Sequence, residues 1–186
     1  LVAEYDNGTT LVGEAHIDEP DEKHDKTAKI RDLRIQPNAQ ISKRAKEAIL
    51  KADVVILGPG DLYSSLLSNF AVDGTAKVLL DSKAQFIYIT NLMTKFGQTH
   101  GLSALGHVKE VEKYAKREPD VILIHNKKIP QEIQKKYLPE EAYPVVDDLG
   151  NSASIIRTDI ASTKVIKRNK EDFVNRSIMR HDSEKL

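Results

Sequence analysis

Residues 54–61 read Val54-Val55-Ile56-Leu57-Gly58-Pro59-Gly60-Asp61, four apolar residues followed directly by a turn with two glycines and a proline. A short apolar run that ends at such a turn is typical of a buried β-strand. Two further apolar runs, 86–89 and 121–124, begin 32 and 35 residues later in succession. Each interval has room for a crossover helix, which predicts strands that are parallel and covered on both faces. The expected fold class is therefore α/β, a Rossmann-like three-layer sandwich with a mostly parallel sheet.

Local patterns predict the remaining elements. Asn7-Gly8 is a strong turn signal, so residues 1–5 and 10–14 are expected to form a hairpin. Apolar residues at helical spacing predict helices, whereas short alternating runs predict strands. The expected helices are 39–51, 72–80, 105–115 with Ser103 as a cap, 130–137 and a closing helix 173–186; the further strands are 30–35, 154–159 and 163–168. The charged stretch 18–26 is expected to be a solvated loop.

The composition limits the classes of protein to which the chain can belong. The chain has 186 residues, 40% of them hydrophobic and 30% charged, which fits one globular domain over 1–186. Its formal net charge of zero lacks the basic character of a nucleic-acid binder. There is no Cys and no apolar run long enough to span a bilayer, so we expect a cytoplasmic protein without membrane or nucleic-acid partners.

The first loop, residues 58–65, follows the first strand and continues as Leu62-Tyr63-Ser64-Ser65. In open α/β sheets ligands bind beside such turns, where glycine permits close approach of the backbone. A helix start favours an anion such as phosphate, and Ser64 and Ser65 add hydroxyl donors. The alternative is a tight strand-to-helix turn with no ligand, because Gly-Pro-Gly is common in turns between elements. Asp61 is a candidate Mg²⁺ ligand or, alternatively, the cap of the helix.

The second loop, residues 91–101, follows the next strand and should open beside the first. It is rich in Asn, Thr, Gln and Gly, side chains suited to hydrogen-bonding a sugar, base or phosphate. The alternative is a capped loop whose Asn and Thr satisfy their own backbone. Other chemistries lack their motifs: no metal-ligand spacing of His, no Gly-x-Ser-x-Gly elbow and no Walker loop occurs.

Three motifs resemble those of the CofD/YvcK-like family. They are Ala52-Asp53-Val54 leading through Gly58-Pro59-Gly60 to Ser65, then Asn91-Leu92-Met93-Thr94, and finally Arg180-His181-Asp182 with Glu184-Lys185-Leu186. The likeness spans nearly the whole chain. The family normally opens with a Gly-Gly-Gly-Thr-Gly turn that this chain lacks, which implies the carboxyl-terminal portion of a longer protein with a fold incomplete at its amino terminus.

The resemblance implies two alternative functions. The closer YvcK branch comprises gluconeogenesis factors, which look like nucleotide- or UDP-sugar-binding regulators of carbon metabolism and cell-wall synthesis. The CofD branch implies a Mg²⁺-dependent transferase of phosphorus-containing groups, 2-phospho-L-lactate transferase, acting on a guanosine-diphospho donor and the deazaflavin Fo in coenzyme F420 synthesis. Whether this chain is an enzyme stays open, as does a homo-oligomeric state. Expected nucleotide- or phosphate-binding residues are Gly58, Pro59, Gly60, Asp61, Tyr63, Ser64, Ser65, Asn91, Thr94 and Thr99, with Asp61 also the Mg²⁺ candidate.

The sequence departs from the family pattern within both loops. Asp61 stands where Ser is usual, and Lys95 begins a segment where Pro-Gly-Glu-Thr is usual. A carboxylate at position 61 should repel phosphate unless a metal or a lysine intervenes. The phosphate-binding role of the first loop is therefore expected to need a cation.

Overall fold

The structure is a computed structural model that describes residues 1–163 and 177–186. These residues contain seven strands and five α-helices. The strands are β1 (Val2–Tyr5), β2 (Thr10–Val12), β3 (Ile30–Arg34), β4 (Val54–Leu57), β5 (Gln85–Ile89), β6 (Val121–His125) and β7 (Ile155–Thr158); the helices are α1 (Glu14–Asp18), α2 (Lys43–Lys51), α3 (Thr75–Asp81), α4 (Ala104–Ala115) and α5 (Gln131–Tyr137). Across these two segments, every helix falls short of the length and apolar content that crossing a membrane requires.

A four-stranded parallel sheet in the order β4-β5-β6-β7 forms the centre of the fold. Helices α3, α4 and α5 connect its successive strands, and the spacing of the three apolar runs predicted the first two of these connections. The predicted edge strand 154–159 is confirmed as β7, which pairs in parallel with β6. The α/β fold class with a parallel sheet is therefore confirmed.

Strand β4 lies at the other edge of this sheet and corrects one expectation. Phe86 and Tyr88 of β5 are completely buried, but Val54 and Ile56 of β4 are 45% and 58% exposed. The prediction that this run is covered on both faces is therefore wrong for β4. An apolar run identifies the strand, whereas its place at the sheet edge decides how much of it is covered.

The amino-terminal hairpin belongs to a second sheet, with the order β2-β1-β3 and antiparallel pairing throughout. The predicted hairpin and the strand 30–35 are thus confirmed and joined. Ala3, Tyr5 and Leu33 from this sheet share one hydrophobic core with Phe86 of β5 and Val111 of α4. The small sheet is consequently fixed to the parallel sheet by apolar burial.

The predicted internal helices are confirmed in position, but their ends differ from the prediction. Helix α4 begins at Ala104, and the Ser103 hydroxyl accepts a hydrogen bond from the Gly106 amide at 3.2 Å, as the predicted cap should. Helix α2 begins only at Lys43, where Ser42 caps it, and α3 begins after Gly74. Residues 177–186 form turns instead of the predicted closing helix. The rest of that helix, and the predicted strand 163–168 apart from Thr163, lie outside the described residues.

Candidate functional site

A cavity of about 1010 Å³ opens at the carboxyl ends of β4 and β5. Its lining comes from the first loop, from residues 91–96 of the second loop, from the end of α1 and from the segments 137–142 and 177–181. The two loops therefore do lie side by side at the rim of the sheet. Segments far apart in the sequence complete the walls.

The first loop is held by its backbone. Gly58 has a φ of +115°, and a Cβ atom there would stand 2.9 Å from the carbonyl oxygen of Ile89 on β5. Both the torsion and the contact require glycine. Pro59, Gly60 and Asp61 then line the cavity.

The helix expected after this turn is a single π-helical turn, Leu62–Leu66, followed by a 3₁₀ turn, Leu67–Asn69. Asp61 occupies the N-cap position of this turn, where its backbone carbonyl accepts from the Ser65 and Leu66 amides, but its side chain makes no capping bond.

The second loop is held by hydrogen bonds from both its side chains and its backbone. The Asn91 amide nitrogen donates to the Gly60 carbonyl at 2.8 Å and thereby joins the two loops. The Thr94 hydroxyl accepts from the Tyr143 amide at 3.0 Å, and the Thr99 hydroxyl accepts from the Lys95 amide at 2.9 Å. Thr99 thus satisfies the loop's own backbone, as the structural alternative predicted, whereas Asn91 and Thr94 bond backbone groups of other segments.

Lys95 forms the centre of a charge cluster in the cavity wall. Its Nζ lies 2.5 Å from Asp18 Oδ1 and 3.0 Å from Asp61 Oδ2. Asp18 Oδ1 also accepts hydrogen bonds from Ser64 Oγ at 3.0 Å and from Gln98 Nε2 at 3.1 Å. The three charged side chains are 25–39% exposed, so a molecule in the cavity can reach them. We call Asp18, Asp61 and Lys95 the charge cluster.

The charges in this cluster shift one another's pKa. Burial disfavours every charged form, but the hydrogen bond and charge of Lys95 outweigh it at Asp18, whose pKa lies below the ordinary value. At Asp61 burial prevails, reinforced by the neighbouring charge of Asp18, and the pKa is raised. The pKa of Lys95 is raised because the two carboxylates outweigh the burial of its ammonium.

Of the predicted binding residues, five line the cavity and five do not. Pro59, Gly60, Asp61, Asn91 and Thr94 are in the lining. Gly58 lies behind it against β5, and Thr99 is buried within the second loop. Tyr63 is buried with its ring against Tyr114, Ser64 is buried and holds Asp18, and Ser65 is exposed away from the cavity. The five residues outside the lining therefore support the loops and do not contact the cavity.

Several cavity residues were missed as site residues by sequence reasoning. The charged stretch predicts a solvated loop at Asp18, and this is wrong because Asp18 ends α1 and lines the cavity. Lys95 was noticed only as a departure from the family pattern. A joint signal was available, because Asp61 and Lys95 are opposite charges that both depart from the pattern, and they meet in the structure at 3.0 Å.

The carboxyl-terminal motif supplies the facing wall. Arg180 is exposed and lines the cavity, and the described residues include no ion-pair partner for it. His181 Nε2 donates to the Thr90 carbonyl at 3.0 Å, at the end of β5. Lys185 Nζ reaches Asp159 Oδ2 at 3.0 Å, just beyond β7. This motif thus fastens the chain end across the strand ends and leaves one guanidinium facing the cavity.

A magnesium site at Asp61 is a poor fit to this arrangement. The Lys95 ammonium already lies between the carboxylates of Asp61 and Asp18. Within 1–163 and 177–186, no three His, Asp or Glu side chains are grouped closely enough to hold a metal ion. The magnesium role of Asp61 stays a prediction, and no chemical step is assigned to a metal here.

Comparison with known proteins gives a consistent family. The model of the family described as 2-phospho-L-lactate transferase CofD matches residues 1–166. A gluconeogenesis factor of Bacillus subtilis is 30% identical over the whole chain, and one of Halalkalibacterium halodurans is 34% identical over 80% of it. The chain spans about half the length of these curated relatives, 55% and 45% respectively.

A solved structure agrees with the fold. The crystal structure of a member of the UPF0052 family from Bacillus halodurans matches with a TM-score of 0.82 at 30% identity. The match covers 99% of this chain and 55% of that one. Sequence and three-dimensional similarity therefore extend over the same region.

Proposed function

The chain belongs to the CofD family, and from that premise we propose that its cavity binds a nucleotide or a nucleotide-sugar. The relatives named gluconeogenesis factors support a regulatory role in carbon metabolism. Because the chain spans about half of those relatives, the activity and partners of the whole protein are part of the same proposal.

The observation that carries this proposal is the place and lining of the cavity. It lies at the carboxyl ends of neighbouring parallel strands, where α/β sheets bind their ligands. Its volume of about 1010 Å³ is at the upper end of the range for small-molecule sites, which suits a nucleotide that carries a second group.

Arg180 is the proposed contact for the phosphates. A guanidinium binds phosphate through paired hydrogen bonds, and Arg180 has no carboxylate partner among the described residues. On the opposite wall, the ammonium of Lys95 is already shared by two carboxylates. The proposed ligand therefore places its diphosphate towards Arg180.

Calorimetric titration of the full-length protein with UDP-glucose, UDP and GDP tests the proposal. We expect micromolar binding of at least one of them, and Arg180→Met should weaken it by about ten- to a hundredfold because a charged hydrogen-bond partner is lost. Arg44→Met is the matched control, since Arg44 is exposed on α2 outside the cavity. Absence of heat with all three ligands, or equal weakening by both variants, would contradict the proposal.

The second candidate is the transferase reaction of the family model that matches residues 1–166. In that reaction a guanosine-diphospho donor would occupy the same cavity, Fo would accept the phosphorus-containing group, and guanosine monophosphate would leave as the diphosphate bond breaks. Incubation of the full-length protein with both substrates and Mg²⁺, followed by mass spectrometry, tests it. A product with the mass of a coenzyme F420 precursor would establish the transferase, and its absence where nucleotide binding is retained would leave the regulator.

A further inference from the structure

We infer that the charge cluster of Asp18, Asp61 and Lys95 is an anion-excluding subsite that binds the hydroxyl-bearing, uncharged end of the ligand. This inference rests on the proposed function and deepens it, because it orients the ligand in the cavity. It also reverses the role first expected of the loop 58–65, which was to hold phosphate.

The charges in the cluster favour this assignment. One ammonium faces two carboxylates, so the formal charge is −1 when both are ionised and zero when one is protonated. In neither state does the wall carry the net positive charge that attracts a phosphate. A phosphate drawn to Lys95 would also stand beside Asp18 and Asp61, whose repulsion is strong at such short range.

The hydrogen-bonding capacity of the cluster fits hydroxyl groups. Asp61 Oδ2 receives the lysine, and its carboxyl retains acceptor capacity towards the cavity, where 39% of the side chain is exposed. A hydroxyl can donate to a carboxylate and accept from an ammonium, so adjacent sugar hydroxyls match the cluster. The Asn91 amide nitrogen donates to the Gly60 carbonyl and so holds the first loop next to Asp61.

The geometry is also built rather than accidental. Asp18 Oδ1 is fixed by three donors, Lys95, Ser64 and Gln98, of which Ser64 and Gln98 are buried. Residues from α1, from the first loop and from the second loop thus converge on one point of the cavity wall. The subsite is preorganised, which reduces the entropy lost when it binds.

The test compares affinities for inorganic pyrophosphate, UDP and UDP-glucose in the wild type and in Asp61→Ser and Asp61→Asn, measured by calorimetry on the full-length protein. In the wild type, UDP-glucose should bind more tightly than UDP, and pyrophosphate most weakly. Removing the Asp61 carboxylate takes away one of the two repelling charges and leaves Lys95 paired with Asp18 alone, so both variants should bind pyrophosphate at least about tenfold more tightly. The preference for UDP-glucose over UDP should fall in both.

The matched control is Asp147→Ser, which breaks the ion pair with Arg157 at 2.6 Å outside the cavity and should change none of these affinities. Melting temperatures of all variants identify any loss of folding, and Asp61→Asn provides a variant of unchanged size. If neither Asp61 variant gains pyrophosphate affinity, the inference is overturned. If they gain it while no protein binds UDP or UDP-glucose, anion exclusion stands and the proposed nucleotide function fails.

Discussion

The two loops at the rim of the sheet are held in different ways. The first loop depends on one backbone position, because Gly58 packs against the Ile89 carbonyl at a torsion that side chains rarely adopt. The second loop depends on several hydrogen bonds, among them those of the Asn91, Thr94 and Thr99 side chains to backbone groups. Lys95 then links the second loop to the first through Asp61.

The two loops should therefore differ in the substitutions that they tolerate. A backbone held at close range tolerates no Cβ atom, whereas a loop held by several hydrogen bonds loses them one at a time. A substitution at Gly58 should therefore lower the free energy of unfolding more than any single substitution in the second loop.

The largest effect is expected for Gly58→Ala. The strained torsion and the 2.9 Å contact with a backbone oxygen together should lower the free energy of unfolding by about 3 kcal/mol or more. Urea denaturation measures it. Gly101→Ala in the second loop is the control, because its φ is +72° but no heavy atom lies within 4 Å of the added Cβ; we expect about 1 kcal/mol there. Equal losses in the two variants would remove the distinction between the loops.

An intermediate effect is expected for Lys95→Met, which removes the link between the loops. Asp18 and Asp61 would then face each other without the ammonium, and because the three side chains are partly exposed we expect a loss of about 1–2 kcal/mol. Lys77→Met is the matched control, since its pair with Asp81 is largely exposed and its loss should be close to zero. Thermal unfolding at neutral pH compares the two, and a similar result for both would show that the cluster contributes nothing to stability.

The smallest effect is expected in the pH dependence of stability. It concerns the hydrogen bond from His181 to the Thr90 carbonyl, just before the second loop. Burial lowers the pKa of His181 below 6.5, so below pH 6.5 the unfolded chain binds a proton that the folded chain does not. Stability should therefore fall as the pH falls from 6.5 through the folded pKa. His107 and His125, whose pKa values burial also lowers, act in the same direction.

His181→Gln keeps a donor for the Thr90 carbonyl but cannot titrate, so its stability should depend less steeply on pH below 6.5, by less than about 1 kcal/mol per pH unit. Denaturant unfolding between pH 5 and 7 measures the slope. A slope in His181→Gln equal to that of the wild type would mean that His181 does not contribute.

Much of the fold could be predicted because it depends on local pattern. Apolar runs located β4, β5 and β6, Asn7-Gly8 located the hairpin, and Ser103 located the start of α4. The exposure of Val54 and Ile56 could not be predicted, because it depends on which strand lies at the sheet edge. Neighbouring residues in the sequence carry no record of that order.

The candidate site was predicted in part for the same reason. Loops that follow parallel strands must meet at one edge of the sheet, so the contact of 58–61 with 91–95 followed from the sequence. Asp18 did not, because nothing local distinguishes a carboxylate at a helix end inside a wall from one in a solvated loop. Tyr63, Ser64, Ser65 and Thr99 looked accessible in the sequence, and packing turned them away from the cavity.

The sequence by itself determined the α/β class, the two rim loops and the membership of a family, since each depends on residue types at fixed spacing. Only the tertiary structure decided that Lys95 stands between Asp18 and Asp61 while Arg180 faces them unpaired among the described residues. The physical reason is that the attraction between charges depends on their distance in space, and folding brings together groups 77 positions apart in the chain.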